Sequence, residues 1–587
     1  MAMLGAIVTL LLTLLVAWGL TRKPSFTATY RYFDLSVAFQ GPVNFQSFGI
    51  ALIMQVDHLT VAALGVVELC IIGAIGWHQV MGRSEPGAAR FHAAVTLLLF
   101  GAVGTLYSTD LAEMFAFWAI AGAMTYLLLE HRWGVDVAAT RARVALALPF
   151  LTDLSLLCGI AWLYSRYGTQ NLQTLVTILH TNPGWTVRSI VVGSVLLFVG
   201  VAGRLALWPF SAWITQTSTT APPAAVAIVQ SVWSVVAIVV LYRLMPILAG
   251  SSQQLLQVLA VSCAVSAVAA PLFGLLGNEP RRALSLAGSG AAAIAAAVVI
   301  DTSRGPAAFA IAGVAAVLAL APARAGAMLA LSSIASAMRT PDLREMGDAW
   351  RRMRVSSLAL LLATLVMGLS ACGAVAYAIS TRSRVGLVLG EGLLLVAVAG
   401  LRVFLAVAIG PLRRRRAFEP DRVREAPSEA LGYPYWLVAG GAAFLVASLL
   451  SPWLNFIDAS QKHPAPSAGA FLIWAAVAVA GFLACTFAFV RSKDGALAAS
   501  AVGGQRLGLI SAFLYAVLDR FFIAPAIDIA ARLDSWIPEG DSALARFTST
   551  TGRLALAAAR GPAVTVVVVL AVVLAVVFAL VAPGVVR

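Results

Sequence analysis

Residues 195–243 read VLLFVGVAGRLALWPFSAWITQTSTTAPPAAVAIVQSVWSVVAIVVLYR, and the fold follows from how this stretch is read. An apolar run carrying Arg204 leads into Trp208-Pro209, a short polar continuation and Ala221-Pro222-Pro223, and a second apolar run ends at Arg243. Pro209 lacks an amide donor and clashes with the turn before it, so the first helix is expected to break there. Arg204 then lies deep in an apolar helix. In a membrane such a permanent charge costs about 2.5–3.5 kcal/mol on insertion scales. A broken helix beside a buried ion is one way to build a transport site.

The flanking sequence makes the membrane reading unavoidable. With 60% hydrophobic and 11% charged residues and a mean hydropathy of +0.91, the chain holds more apolar surface than a soluble protein can bury. Apolar runs of about 18 residues or more recur along it. The expected class is therefore an all-α polytopic membrane protein with about fifteen transmembrane helices. They are expected near 4–21, 50–77, 92–108, 111–130, 143–165, 188–219 (broken), 222–248 and 253–276. The others fall near 283–301, 306–337, 355–385, 388–410, 434–455, 468–490 and 562–583. The first run has no small-residue cleavage site and is read as a span, not a removable signal.

The formal charge is +14, but the basic residues cluster in loops such as Arg413–Arg416 and not among interleaved aromatics. That distribution sets orientation by the positive-inside rule, with a cytoplasmic N-terminus in a bacterial inner membrane, and argues against nucleic acid as a partner. The cysteines at 70, 158, 263, 372 and 485 stand singly, with no CxxC or Cys/His pairing. They read as small packing residues, and no metal site and no cofactor is expected in this chain. No glycine-rich phosphate loop follows a strand.

Acids inside apolar spans are the next signal. Glu68 lies about three turns into the second span, where an acid is a functional candidate by default; the alternative is a hydrogen bond between helices. Asp110 and Glu113 open the fourth span, and Asp110 suits a helix cap as well as an ion path. Asp153 sits mid-span in LPFLTDLSLLCG and is expected to pair with a buried cation. Residues 25–48, mixed aromatic and polar, are expected on the outer surface. Gly373 weakens a later helix that runs toward Arg382, and Glu391 follows in the next span. Paired interruptions near Pro209 and Gly373 point to two structural repeats. Residues 491–561 are helical in pattern, broken at Pro525, Pro538 and Gly540, and too charged to span; they are expected to lie along the cytoplasmic surface.

At these positions the chain resembles the large antiporter-like membrane subunit of complex I (the NuoL type), related to the Mrp cation/proton antiporters. Gly203-Arg204-Leu-Ala-Leu-Trp-Pro209-Phe-Ser-Ala-Trp213 is similar to that family's G-K-S-A-x-x-P-x-x-x-W. Ala221-Pro222-Pro223 stands where the family has P-T-P, and Arg243 matches a family arginine. Phe117-Trp118 through Thr125-Tyr126-Leu-Leu resembles W-E-G-x-G-x-x-S-Y-L-L, and Asp153 matches an acid of the same cluster. Glu279-Pro-Arg-Arg282-Ala-Leu resembles D-I-K-R-x-L. Asp342-Leu-Arg-Glu-Met-Gly347 and Leu518-Asp-Arg520-Phe-Phe-Ile-Ala-Pro525 are similar to two further family segments, the latter at the start of a long lateral helix.

The resemblance implies N-terminal spans and an outer loop over 1–90 and two antiporter-like inverted repeats over 91–250 and 251–410. It further implies additional spans over 411–490, a lateral amphipathic helix over 491–561 and an anchoring span over 562–587. It also implies partners: the other membrane-arm subunits of a complex I-like assembly, met through the lateral helix, and lipids. The departures are chemical. The family moves protons through Glu, Lys and His across the membrane centre; here the Glu position falls on Ala119 and the central Lys on Arg204. The first-half His falls on Val229, the second-half His, His and Lys on Ala310, Val314 and Leu318, and the terminal Lys on Arg382. All three lysines (Lys23, Lys462, Lys493) lie outside the spans, and the six histidines sit at span ends or in loops. A buried lysine can release its proton, whereas an arginine cannot.

The expected function is a membrane-arm subunit of an NADH/quinone oxidoreductase-like assembly, with impaired or absent proton translocation and a structural, clamping role. A first alternative is an active proton or sodium path through Glu68, Glu113, Asp153, Glu391 and waters, with Arg204 as a fixed gate. A second is a membrane partner in inorganic-carbon uptake or in a membrane-bound hydrogenase. On every reading the catalytic centre of such a complex lies outside this chain.

Overall fold

The computed structural model describes residues 2–23, 25–35, 48–83, 85–132, 136–181, 187–301, 310–380, 383, 385–410, 423–457 and 468–491. The expected lateral helix and last anchoring span therefore lie outside the described residues, as does Arg382.

The chain begins with α1 (Ala2–Leu20), followed by an antiparallel hairpin of β1 (Ser25–Leu35) and β2 (Phe48–Asp57). Next come α2 (His58–Met81), α3 (Ala88–Tyr107), α4 (Leu111–Leu129), α5 (Asp136–Tyr167) and the short α6 (Leu172–Thr181). The opening stretch becomes α7 (Val187–Arg204), α8 (Ala212–Thr217) and α9 (Pro223–Ala249). Then follow α10 (Gln253–Leu276), α11 (Pro280–Ile300), α12 (Ala310–Met338) and the single turn α13 (Ala349–Arg352). The remainder is α14 (Arg354–Ser370), α15 (Cys372–Ser380), α16 (Gly386–Phe404), α17 (Ser428–Ser448), α18 (Ser451–Ile457) and α19 (Ala468–Arg491).

Twelve spans among the described residues are long and apolar enough to cross a membrane, and the α7 segment Ile190–Arg204 and the α19 segment Gly469–Leu483 are shorter apolar helices. The polytopic helical class holds. One local expectation does not: the segment after α1 is a β-hairpin, and the second membrane helix starts at His58, not near 50. Ser25 pairs with Asp57 and Thr27 with Gln55, so the alternating aromatic and β-branched residues of the first strand are read out at period two. Asp57 then caps α2, its carboxylate accepting the Thr60 amide at 2.8 Å.

Helices α9, α11 and α12 are buried along their whole membrane-crossing lengths. Apolar residues fill most positions around each, as a central helix requires, with a few buried polar side chains among them. Alanine, glycine and serine dominate α11 and α12, so backbones approach closely where lipid supplies no hydrophobic drive between helices. At the opposite extreme α1 exposes Leu4, Leu11, Leu12, Leu15 and Trp18, as a helix facing acyl chains does.

Both expected interruptions are visible, each displaced. The first helix stops at Arg204, five positions before Pro209, and the chain resumes as α8 at Ala212. In the later one α14 ends at Ser370 and α15 opens at Cys372, so the break is at Ala371 and Gly373 lies inside the second piece.

Candidate functional site

The turn that ends α7 is made by backbone geometry before proline acts. Ala206 has φ +54°, a left-handed conformation that terminates a helix, and the Leu207 amide reaches back to the Ala202 carbonyl at 3.0 Å. The Trp208 amide donates to Ser266 Oγ of α10 at 2.7 Å. Trp213, on α8, donates its indole N–H at 3.0 Å to the Gly203 carbonyl, which also accepts the Ala206 amide at 3.1 Å, and so ties α8 back to the end of α7. Pro223 occupies the first turn of α9, where its missing N–H costs nothing. The sequence landmarks Pro209, Trp213 and Pro223 are thus the turn, the tie back to α7 and the restart of one interrupted segment.

Arg204, at the C-terminal end of α7, is 4% exposed. That position is favourable for a cation, because helix carbonyls point toward it. Its Nε donates to Asp153 Oδ1 at 3.0 Å and its Nη2 to Asp153 Oδ2, a two-pronged contact between planar groups. Trp118 of α4 donates its indole N–H to the same Oδ1 at 2.7 Å. The guanidinium carbon lies 4.2 Å from the centre of the Trp233 ring, on α9. Trp118 and Trp233 meet edge to face at 4.8 Å, and Trp233 in turn donates to Thr125 Oγ1 at 2.7 Å. Four helices therefore hold one ion pair.

Two glycines make room for it. A Cβ on Gly122 would lie 2.2 Å from Arg204 Nη2, and one on Gly203 would lie 2.0 Å from Thr152 Oγ1. Both carboxylate oxygens are engaged by fixed donors, and the arginine has no proton to release. The arrangement can hold a charge in place. It has no group that gives and takes a proton without first breaking the pair.

The other sequence candidates are distributed elsewhere. Glu68 is fully buried but separate from Arg204: Thr13 Oγ1, on α1, donates to its Oε1 at 2.9 Å, and Oε2 has no protein partner. Replacing Thr13 with valine is expected to lower stability by about 1–3 kcal/mol in SDS-titrated unfolding, the cost of stranding a buried acceptor, with Glu68→Gln recovering part of it. Glu113 accepts the Ile53 amide at 3.0 Å and Ser108 Oγ at 3.1 Å, tying the hairpin to the α3–α4 corner. Asp110 caps α4, accepting the Ala112 amide at 2.9 Å; burial raises its carboxyl above the usual range, and its bonds from the Glu113 and Ala112 amides oppose this.

Arg243 staples α9 to the α2–α3 end through the Leu106 carbonyl and through Thr60 Oγ1 at 2.7 Å, with Asp57 at 3.7 Å. Glu391 is exposed on α16. Ala119 is half-buried beside Trp118, while Val229, Ala310, Val314 and Leu318 are buried apolar residues. Cys70, Cys263 and Cys372 pack in the interior as expected, whereas Cys158 is exposed.

Two buried cations are absent from the sequence-derived candidates: Arg402, near the end of α16, which donates to the Gly277 carbonyl at 2.8 Å, and Arg324. Arg324, in the middle of α12 and six positions after Leu318, is 3% exposed. Its signal is plain, a lone charge in a long Ala-rich apolar run, but the family register puts the second-half basic position on Leu318. Arg324 donates to Ser234 Oγ at 3.0 Å and to the Ser285 carbonyl at 2.9 Å.

Fold and site together define a polytopic helical membrane protein built around a charge at a helix break, the architecture of antiporter-like membrane subunits. Residues 108–405 match the family described as NADH:quinone oxidoreductase/Mrp antiporter, TM, and the chain belongs to that family. Among curated proteins it is 24% identical over 296 residues to NADH-quinone oxidoreductase subunit L of Neisseria meningitidis, covering 48% of this chain and 42% of that one. It is 29% identical over 206 residues to a probable K(+)/H(+) antiporter subunit of Rhizobium meliloti, covering 35% of this chain and 37% of that one. The chain spans about a third of the length of the curated relatives it matches. A chain of the Mrp complex from Dietzia sp. shares the fold, with a TM-score of 0.59, 17% identity and coverage of 85% of this chain and 91% of that one.

Proposed function

We propose that this chain is an antiporter-like subunit of the membrane arm of a complex I-type assembly, that its first half-channel is closed to proton exchange, and that its role there is structural. The observation that carries the reading is the locked Arg204–Asp153 pair, an arginine in a two-pronged contact where proton exchange would need a group able to cycle. The apolar character of Val229, Ala310, Val314 and Leu318 supports it. The chain holds no cofactor of its own on this reading, sits in a bacterial inner membrane with its N-terminus in the cytoplasm, and contacts neighbouring subunits through residues 491–561.

Purified full-length chain in proteoliposomes is expected to acidify no faster than empty vesicles under an imposed potential, and Arg204→Lys is expected to raise the rate by restoring a cation whose pKa burial can lower. Proton or sodium flux in the wild type that Asp153→Asn abolishes is the result that sinks the structural role. Tagged chain isolated from native membranes is expected to bring other antiporter-like subunits with it; isolation alone, or with a carbonic-anhydrase-like or hydrogenase partner, overturns the assembly assigned. A second reading, active translocation, draws on Glu68, whose Oε2 is buried without a partner; flux sensitive to Glu68→Gln but not to Asp153→Asn would select it.

A further inference from the structure

Arg204 and Arg324, two of the three buried arginines among the described residues, differ in one decisive respect. Arg204 is neutralised by Asp153, whereas Arg324 has no carboxylate within ion-pairing distance among the described residues, and no charged group offsets its burial. It lies on α12, packed against the wholly buried α9 and α11. A guanidinium offers five N–H donors. Two protein acceptors are in reach, Ser234 Oγ and the Ser285 carbonyl, and Nε has none.

The surroundings are polar. Gln230 donates to Ser285 Oγ at 2.9 Å, and Ser234 donates to the Gln230 carbonyl at 2.7 Å. Ser289, one helical turn beyond Ser285, is fully buried and its hydroxyl has no protein partner. Gly288 lets the guanidinium lie against α11, since a Cβ there would stand 2.6 Å from Nε. Arg324 thus keeps an unused guanidinium donor, the adjoining turn of α11 carries an unused hydroxyl donor, and no acid among the described residues pairs with the charge.

We propose that Arg324, with Ser289 as second donor, binds a small monovalent anion in the core of the helix bundle. The unused Nε–H and the adjoining Nη–H form the edge that accepts a planar oxyanion side-on, and a halide satisfies the charge at the same edge. Bound anion completes the charge balance that Asp153 provides for Arg204. The inference uses the geometry around α12 alone and is independent of whether the Arg204 half-channel conducts.

The test is thermal unfolding of purified full-length chain at constant ionic strength, with sodium gluconate replaced stepwise by sodium chloride or sodium nitrate. Gluconate is too bulky for the site. The expected result is a saturable rise in Tm of about 2–4 °C with chloride or nitrate. Arg324→Met is expected to abolish the rise and, in gluconate, to melt above the wild type, because it removes an unpaired buried charge and leaves no charged group behind. Ser289→Ala is expected to weaken the response without abolishing it. Identical melting in all three salts overturns the proposal. So does an equal rise in Arg324→Met, which reports an adventitious ion only.

Discussion

Asp153→Ala is expected to lower the unfolding free energy by about 3–5 kcal/mol, the loss seen when one member of a buried ion pair is removed and the other is left charged in the interior. The sign of the companion variants separates this from ordinary core disruption. Among the described residues Arg204 has no second acid to turn to: Trp118 offers a donor, Trp233 a ring face, and Gly122 no side chain at all. Arg204→Met strands Asp153 instead, but the carboxylate keeps the Trp118 indole at 2.7 Å and can be protonated, so its loss is expected to be smaller, about 2–3 kcal/mol. The double variant Asp153→Leu with Arg204→Met removes both charges and is expected within about 1–2 kcal/mol of the wild type, since apolar replacement of a whole buried pair is often near neutral. Unfolding in SDS titration reads all three. Losses that add in the double variant would mean the two residues do not act as a pair.

That experiment bears on function as much as on stability. A proton-exchanging centre is selected to keep a group that changes charge at low cost; a closed centre is free to commit its polar atoms to rigidity. Trp118, Trp233 and Asp153 come from three different helices and converge on Arg204, each directed at the charge or at its partner. The geometry is that of a clamp across α4, α5, α7 and α9.

The legibility of these features in the chain differs from one to the next. Arg204 and Asp153 are readable as partners because charges in apolar spans are few and a buried cation needs an acid. The aromatic walls are not, because Trp118 and Trp233 look like any other core residues until the helices are placed. The sequence points to a stop at Pro209 and the helix stops at Arg204, because proline is the stronger local signal while a positive φ at Ala206 leaves no mark in an alanine. The hairpin after α1 is hidden because its second strand, GIALIMQV, is as apolar as the helix that follows it; a short apolar run does not declare its period. Arg324 is hidden for a different reason: the register implied by the family resemblance puts the second-half basic position on Leu318, and a charge off that register matches no motif.

Gly203→Ala is expected to cost about 3 kcal/mol, at the upper end for overpacking, and the reason lies in what the new methyl group meets. Its Cβ would stand 2.0 Å from Thr152 Oγ1, 2.4 Å from Thr152 Cβ and 2.6 Å from Thr152 Cγ2. Thr152 cannot swing aside, because it is short and β-branched and its hydroxyl is held by the Pro149 carbonyl at 2.9 Å. The helices α5 and α7 must therefore separate, at the level where Asp153 and Arg204 follow these two residues in sequence. The same loss of contact should appear when Gly200, which faces Leu156 one turn earlier, is replaced by alanine, but without the effect on the ion pair. A swap isolates the cause: Thr152→Gly with Gly203→Ala moves the single Cβ from one helix to the other. The double variant is expected to recover most of the loss, leaving about 1 kcal/mol for a glycine inside α5. A double variant no more stable than the sum of its parts predicts would mean that the glycine serves the end of α7 and not the approach of the two helices.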